Sequence, residues 1–272
     1  LTADTLGSRS VAVGFNALNA QNFTTATNSN NTAVGYNAGL SVTTGIQNTL
    51  LGSLAGDALT DADFNVAVGV GALSGDTLGS RSVAIGTYAL NAQNFTTATN
   101  SFNVAVGHSA GTLISTGTNN TLIGGLVGDA LTSGDSNTAM GYVALSTDTL
   151  GDRAVALGYG ALQNQNFTTT TDNYNVAVGY NAGNDITTGI RNTIVGGLAG
   201  DALTEGGNNV ALGYASLGAD TLGSNSVAVG GGALGSQNFT TATDAYNVAV
   251  GHNAGISIST GVRNALIGGL AG

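Results

Sequence analysis

The sequence predicts an all-β, repetitive parallel β-solenoid, or β-roll. Three observations carry the prediction. One short motif recurs in fifteen phased copies, each copy holds a brief β-branched run followed by Gly, and the rest of each copy is made of turn-forming residues. The motif is Asn/Ser, Val/Thr, Ala/Leu, Val/Ile/Leu, Gly, two variable residues, Ala, and Gly or Leu, as in Asn31–Gly39 and Asn175–Gly183. Copies start at Ser10, Asn31, Asn48, Asn65, Ser82, Asn103, Asn120, Asn137, Ala154, Asn175, Asn192, Asn209, Ser226, Asn247 and Asn264. The spacings run 21, 17, 17 and 17 residues and then repeat, a 72-residue cycle that restarts at Ser82, Ala154 and Ser226. Residues 1–272 therefore read as one continuous array.

Each element of the copy has a local reason. Val-Ala-Val and Thr-Ala-Val are β-branched and short, so each predicts a strand of about five residues. A Gly follows in every copy: Gly14, Gly35, Gly52, Gly69, Gly86, Gly107, Gly124, Gly141, Gly158, Gly179, Gly196, Gly213, Gly230, Gly251 and Gly268. Gly at a fixed place either supplies a positive φ or lets another backbone come close. The remainder is rich in Gly, Asn, Asp, Ser and Thr, which form turns. Seventeen residues have room for two short strands and two turns, one coil of a solenoid.

Strand alternation suggests how the coil is covered. In Asn65–Gly69, Val66 and Val68 share one face and Ala67 takes the other. The middle position is Ala, or the larger Leu50, Leu122, Ile194 and Leu266, and never polar. The strand is therefore expected to be buried on both faces, one inside its own coil and one against a partner. A homotrimer is the preferred arrangement, and a self-contained solenoid with a wider core is the alternative.

Composition narrows the function. The 272 residues include 44 Gly, no Pro, Cys, Trp or Lys, 5 Arg and 15 acidic residues, and 42% are apolar. Such apolarity is not that of a disordered tract. Five scattered Arg at a net charge of −10 are no nucleic-acid surface, and no stretch approaches a membrane span. Both ends read as the interior of a repeat, so the chain is expected to be a piece of a longer fibre.

The repeats Ser10–Gly14, Ser82–Gly86 and Asn103–Gly107 resemble the head repeats of YadA-like trimeric autotransporter adhesins. Repeats of the form Asn-Thr-Ala-Val-Gly-Tyr-Asn-Ala are similar to those of phage and bacterial tail-fibre-like proteins. The resemblance implies a left-handed parallel β-roll, three chains to a rod, and a role in surface attachment on a virion or bacterial cell. The YadA-type repeat is shorter than this one, so longer loops are expected here.

Candidate chemistry is sparse. The 21-residue copies add a loop carrying Phe23, Phe95, Phe167 and Phe239. Those rings either form exposed lateral contacts for a receptor or fold down onto their own coil. The same loops hold Asn-Phe-Thr, a nominal glycosylation acceptor, at Asn22, Asn94, Asn166 and Asn238. His108 and His252 share a phase with Tyr36 and Tyr180 and read as an aromatic surface slot. Asp57, Asp61, Asp63, Asp129, Asp135 and Asp201 fall in turns and read as solvated carboxylates, without the repeat of calcium-binding β-rolls. The Arg residues are expected to pair with Asp4, Asp76 and Asp148. Thr43-Thr44 and Thr187-Thr188 form short patches, too sparse for an ice-binding face.

No residue set suggests catalysis, a cofactor or a metal. The expected function is the structural shaft of an extracellular fibre. Alternatives are an adhesin that binds a host glycan or protein through lateral loops, or a polymeric cell-surface filament. The expected partners are further copies of the chain.

Overall fold

The computed structural model describes Leu1 and residues 3–272 and divides them into two compact units, Leu1–Ser136 and Asn137–Gly272. Each unit is a β-solenoid, and the described residues include no helix. In the first unit the three-residue strands are Val11–Val13, Thr32–Val34, Thr49–Leu51, Val66–Val68, Val83–Ile85, Val104–Val106 and Thr121–Ile123. Each pairs in parallel with the next, as in Val66↔Val83, Ala67↔Ala84 and Val68↔Ile85. The second unit repeats the pattern from Thr138–Met140 to Ala265–Ile267. Register never shifts, so equivalent side chains stack in columns.

The expected second strand of each coil is largely replaced by turns. Only each 21-residue copy and the coil just before it supply one among the described residues, two residues long, as in Gly79–Ser80 paired with Thr99–Asn100. Elsewhere irregular backbone still bonds from coil to coil. Gly39, Ser41 and Thr43 donate their N–H groups to Ala55, Asp57 and Thr60 carbonyls. Backbone satisfaction therefore continues outside the strands.

The strand faces differ from the expectation of double burial. Ala67, Ala84 and Ala105 are fully buried, whereas Val66, Val68 and Val83 are half-exposed and Ile85 is exposed. The small residue faces the interior because the coil is thin. The β-branched residues face outward.

The core explains the 72-residue cycle. The position eight residues after each copy's start is Leu or Gly, always with a left-handed φ, for example Leu73 (55°), Leu90 (48°) and Gly56 (55°). Where the strand centre is Ala, this Leu often fills the space. Where the strand centre is Leu50, Gly56 follows, because a Cβ there would lie 2.7 Å from the Leu50 Cδ2 and 2.8 Å from the Leu59 Cδ1. A left-handed L-residue costs about 1–2 kcal/mol. Burial of a whole Leu side chain contributes about as much or more.

The turn Gly column meets both of its expected requirements. Gly52 and Gly69 have φ of 138° and 131°, and a Cβ on Gly52 would lie 2.5 Å from the Gly69 carbonyl oxygen. Gly52→Ala is therefore expected to collide with backbone that has no room to yield. Chemical denaturation should show a loss of about 1–3 kcal/mol or more. A near-neutral effect would mean that the coils are spaced more loosely.

Candidate functional site

Two sets of side chains are set apart from simple coil filling: a buried polar column and the outer face of the strands. The polar column begins with the Asn that opens most copies. Asn31, Asn48, Asn65, Asn103, Asn120, Asn175, Asn192 and Asn209 are fully buried. The Asn48 Oδ1 accepts the backbone N–H of Asn65 one coil on, at 3.0 Å. Its Nδ2 donates to the Ala62 carbonyl at 2.7 Å. Asn31, Asn65, Asn192 and Asn209 make the same two bonds. Each amide thus clips a turn of its own coil and the strand entry of the next. Asn reads as a turn former in sequence, which hid this role.

Once per cycle the column widens into a buried carboxylate node. Asp76 Oδ1 accepts the N–H groups of Gly79 (3.0 Å) and Phe95 (3.1 Å), and its Oδ2 accepts Gln93 Nε2. Gln93 Nε2 also donates to Ser82 Oγ, and Gln93 Oε1 accepts Asn103 Nδ2. Asp148 and Gln165 repeat the arrangement at 2.6 Å, as do Asp220 and Gln237. Where Ala154 replaces Ser82, Asn173 replaces Ser101; it donates to the Asp152 carbonyl as Ser101 does to that of Ser80, and also accepts the backbone N–H of Asn175. The expected pairing of Arg with Asp76 and Asp148 does not form, because these carboxylates lie inside the coil. Arg153 pairs with the exposed Asp172, and Arg81 donates to Asn100.

Burial raises the pKa of Asp148 despite the bonds from Gln165, Phe167, Gly151 and Leu150. At Asp4 desolvation also acts upward, but bonds from Gln21, Gly7, Phe23 and Leu6 outweigh it and the pKa falls. The turn carboxylates are less solvated than expected. Asp63 and Asp135 accept backbone N–H groups from the preceding coil, and burial raises Asp57, Asp129 and Asp201. No three His, Cys, Asp or Glu side chains among the described residues gather into a metal set.

Phe23, Phe95, Phe167 and Phe239 fold down onto their coils, only 5–6% exposed. The Phe95 ring lies over Gly79, so the exposed-contact alternative for these four residues is corrected. The loop tips are instead threonine-rich: Thr24, Thr25, Thr96 and Thr97 are exposed. Asn94 and Asn238, in the glycosylation triplets, accept from Thr77 and Thr221. The Thr43 phase proves more regular than the paired-Thr reading suggested. Thr43, Thr60 and Thr77 succeed one another, but Thr43 and Thr60 donate to the next coil's carbonyl. Those hydroxyls hold coils together.

The outer strand face presents two rows of Val, Thr, Leu, Ile and Met with a column on either side. After the turn Gly comes an exposed aromatic column. Phe15 stacks on Tyr36 with ring centroids 5.7 Å apart, and Tyr159 stacks on Tyr142 and Tyr180 at 5.8 and 5.4 Å. His108 and His252 are exposed at the same phase. On the other side, Arg81 lies between Phe64 (4.7 Å) and Phe102 (5.9 Å). Arg153 lies 5.7 Å from the Tyr174 ring.

The chain matches no protein-family model, and comparison with curated proteins and solved structures gives no match. No helix among the described residues is long and apolar enough to cross a membrane.

Three outcomes are expected. Asn48→Ala leaves a buried N–H on Asn65 and a buried carbonyl on Ala62, a loss of about 2–5 kcal/mol by urea titration. Phe95→Ala should cost about 3–5 kcal/mol, the loss for a buried ring, where an exposed contact would leave stability unchanged. The pH dependence follows from Asp148. A raised folded pKa contributes stability that is full below the unfolded value of about 3.9 and lost as pH rises through the folded value. Asp57, Asp129 and Asp201 share that sign and Asp4 opposes it. The urea midpoint should therefore rise as pH is lowered from neutral towards about 4. Asp148→Asn should flatten the rise.

Proposed function

We infer that this chain is the structural shaft of an extracellular fibre, built by copies of itself that associate through the outer strand face. One observation carries the reading. The core positions inside the coils are buried, yet of the two outward rows one is apolar in every coil and the other alternates Val with Thr, and both are half-exposed or exposed. A continuous exposed apolar face of this kind marks an association surface. A second copy has the same coil spacing, so its rows match in register along each unit. Self-association of identical chains closes most readily by rotational symmetry. Three copies is the number that the YadA-like repeats imply, together with a role in surface attachment.

The reading assigns no catalytic step. The buried Asp–Gln nodes are enclosed by their own coils, and each polar atom named there has a partner inside the coil. The repeat runs through each unit without a break in which a unique site would appear.

Sedimentation equilibrium tests the association. The expected mass is three times the 26.5 kDa of one chain. Val68→Lys with Ile85→Lys should yield single chains that keep the β-sheet signal, since both side chains point outward. A wild-type mass of one chain at micromolar concentration would overturn the self-association.

A further inference from the structure

All five Arg residues of this acidic chain occupy one phase of the repeat, the residue immediately before each copy's first position. The other occupants of that phase are Phe, Tyr, Asn, Gln and one Ser. Nearly every side chain there ends in a flat group, a guanidinium, a ring or an amide. All but the half-buried Asn225 are exposed.

The backbone gives the column its weight. Every residue at this phase has a left-handed φ, between 50° and 65°. Gly adopts that conformation without penalty, and an Arg or Phe does not. The chain contains 44 Gly and places none here. At another left-handed phase, where most side chains are half-exposed, Gly does recur, at Gly71, Gly160 and Gly232, each set against a side chain of the next coil. At the buried left-handed phase the Leu side chains fill the core. Here the side chains fill nothing, so the strain is kept for what they present outward.

We propose that this column binds a linear, carboxylate-bearing polysaccharide laid along the coils. Arg153, Tyr174 and Arg191 belong to successive coils and form the best-developed stretch in their unit. At about 4.8 Å per coil the two guanidinium groups sit roughly 10 Å apart with the ring between them. Guanidinium groups bind carboxylates through paired hydrogen bonds. An aromatic ring offers a flat apolar face to the C–H face of a sugar ring. Amides at the same phase match hydroxyls. Arg191 has no side-chain partner among the described residues, and Asp172 holds Arg153 in place. Phe64, Arg81 and Phe102 form a second such stretch in the other unit, with Arg81 clamped between rings and tied to Asn100. The open strip suits a polymer crossing it better than a small ligand needing enclosure. A nucleic-acid duplex, with one charge about every 1.7 Å of its axis, is far denser in charge than one Arg in every second coil matches.

The test is affinity electrophoresis of the full chain in polygalacturonate, with its fully methyl-esterified form, dextran sulfate and polyglutamate as comparisons. Polygalacturonate should retard the protein and the neutral ester should not. Arg153→Gln with Arg191→Gln should weaken retardation at least about tenfold. Lys at both positions should restore only part of it, because Lys lacks the paired donors. Tyr174→Ser should weaken it without changing the pH profile or the melting profile. Three results would each overturn the proposal. One is no retardation. Another is retardation by dextran sulfate or polyglutamate that matches polygalacturonate and survives the substitutions. The third is a change in sedimentation mass on substitution with no change in retardation, which would make the column a contact between copies.

Discussion

The structure depends on keeping a polar backbone satisfied inside a coil too thin to bury much else. The buried Asn amide does this. Its oxygen takes the N–H that enters the next strand, and its nitrogen holds a carbonyl of the turn that closes its own coil. A buried donor or acceptor without a partner costs about 1–3 kcal/mol, so each amide settles two such groups together. With the Asn fixed, the next coil's strand starts at the same height wherever an Asn opens the copy. The stacked Gly column and the unshifted register follow from that.

The 72-residue cycle is a packing solution. Four layers alternate: Ala with Leu and Gln, Ala with Gly and a β-branched residue, Leu or Ile with Gly and Leu, and Ala with Leu and Asp. Leu50 fills the space that Gly39 and Gly56 leave, and Leu73 fills that beside Ala67. Asp and Gln come from adjacent layers and are stable inside only because they meet each other. A one-layer change would set an unpartnered carboxylate against Leu. This ties the spacing of 21- and 17-residue coils to chemistry in the core, and leaves the outer face free of that constraint.

Much of the fold was legible in the sequence because it was periodic. The Val-Ala-Val runs placed the strands, and the invariant Gly marked close backbone approach. The direction of the strand faces was not legible. Val and Ala are both apolar, so hydropathy does not separate them, and only the width of the coil decides that Ala67 goes in and Val66 and Val68 go out. Asp148 was misread and the role of Asn48 went unseen for a related reason. Asn and Asp in a Gly-rich segment usually belong to turns in water, and their burial depends on partners 10 to 19 residues away, such as Gln165 and Phe167 for Asp148. The column of Arg and rings was visible as a phase. Its left-handed backbone was not, because nothing in Arg or Phe marks that conformation.

Amide hydrogen exchange measures the central interaction most directly. The backbone amides of Asn48, Asn65 and Ser82 donate to a side-chain oxygen of the preceding coil and not to a carbonyl. If the buried Asn column holds the coils, these amides exchange as slowly as those of Val66 and Val83 within the strands. Exchange at the rate of the exposed loop amides of Thr24 and Thr96 would contradict the account.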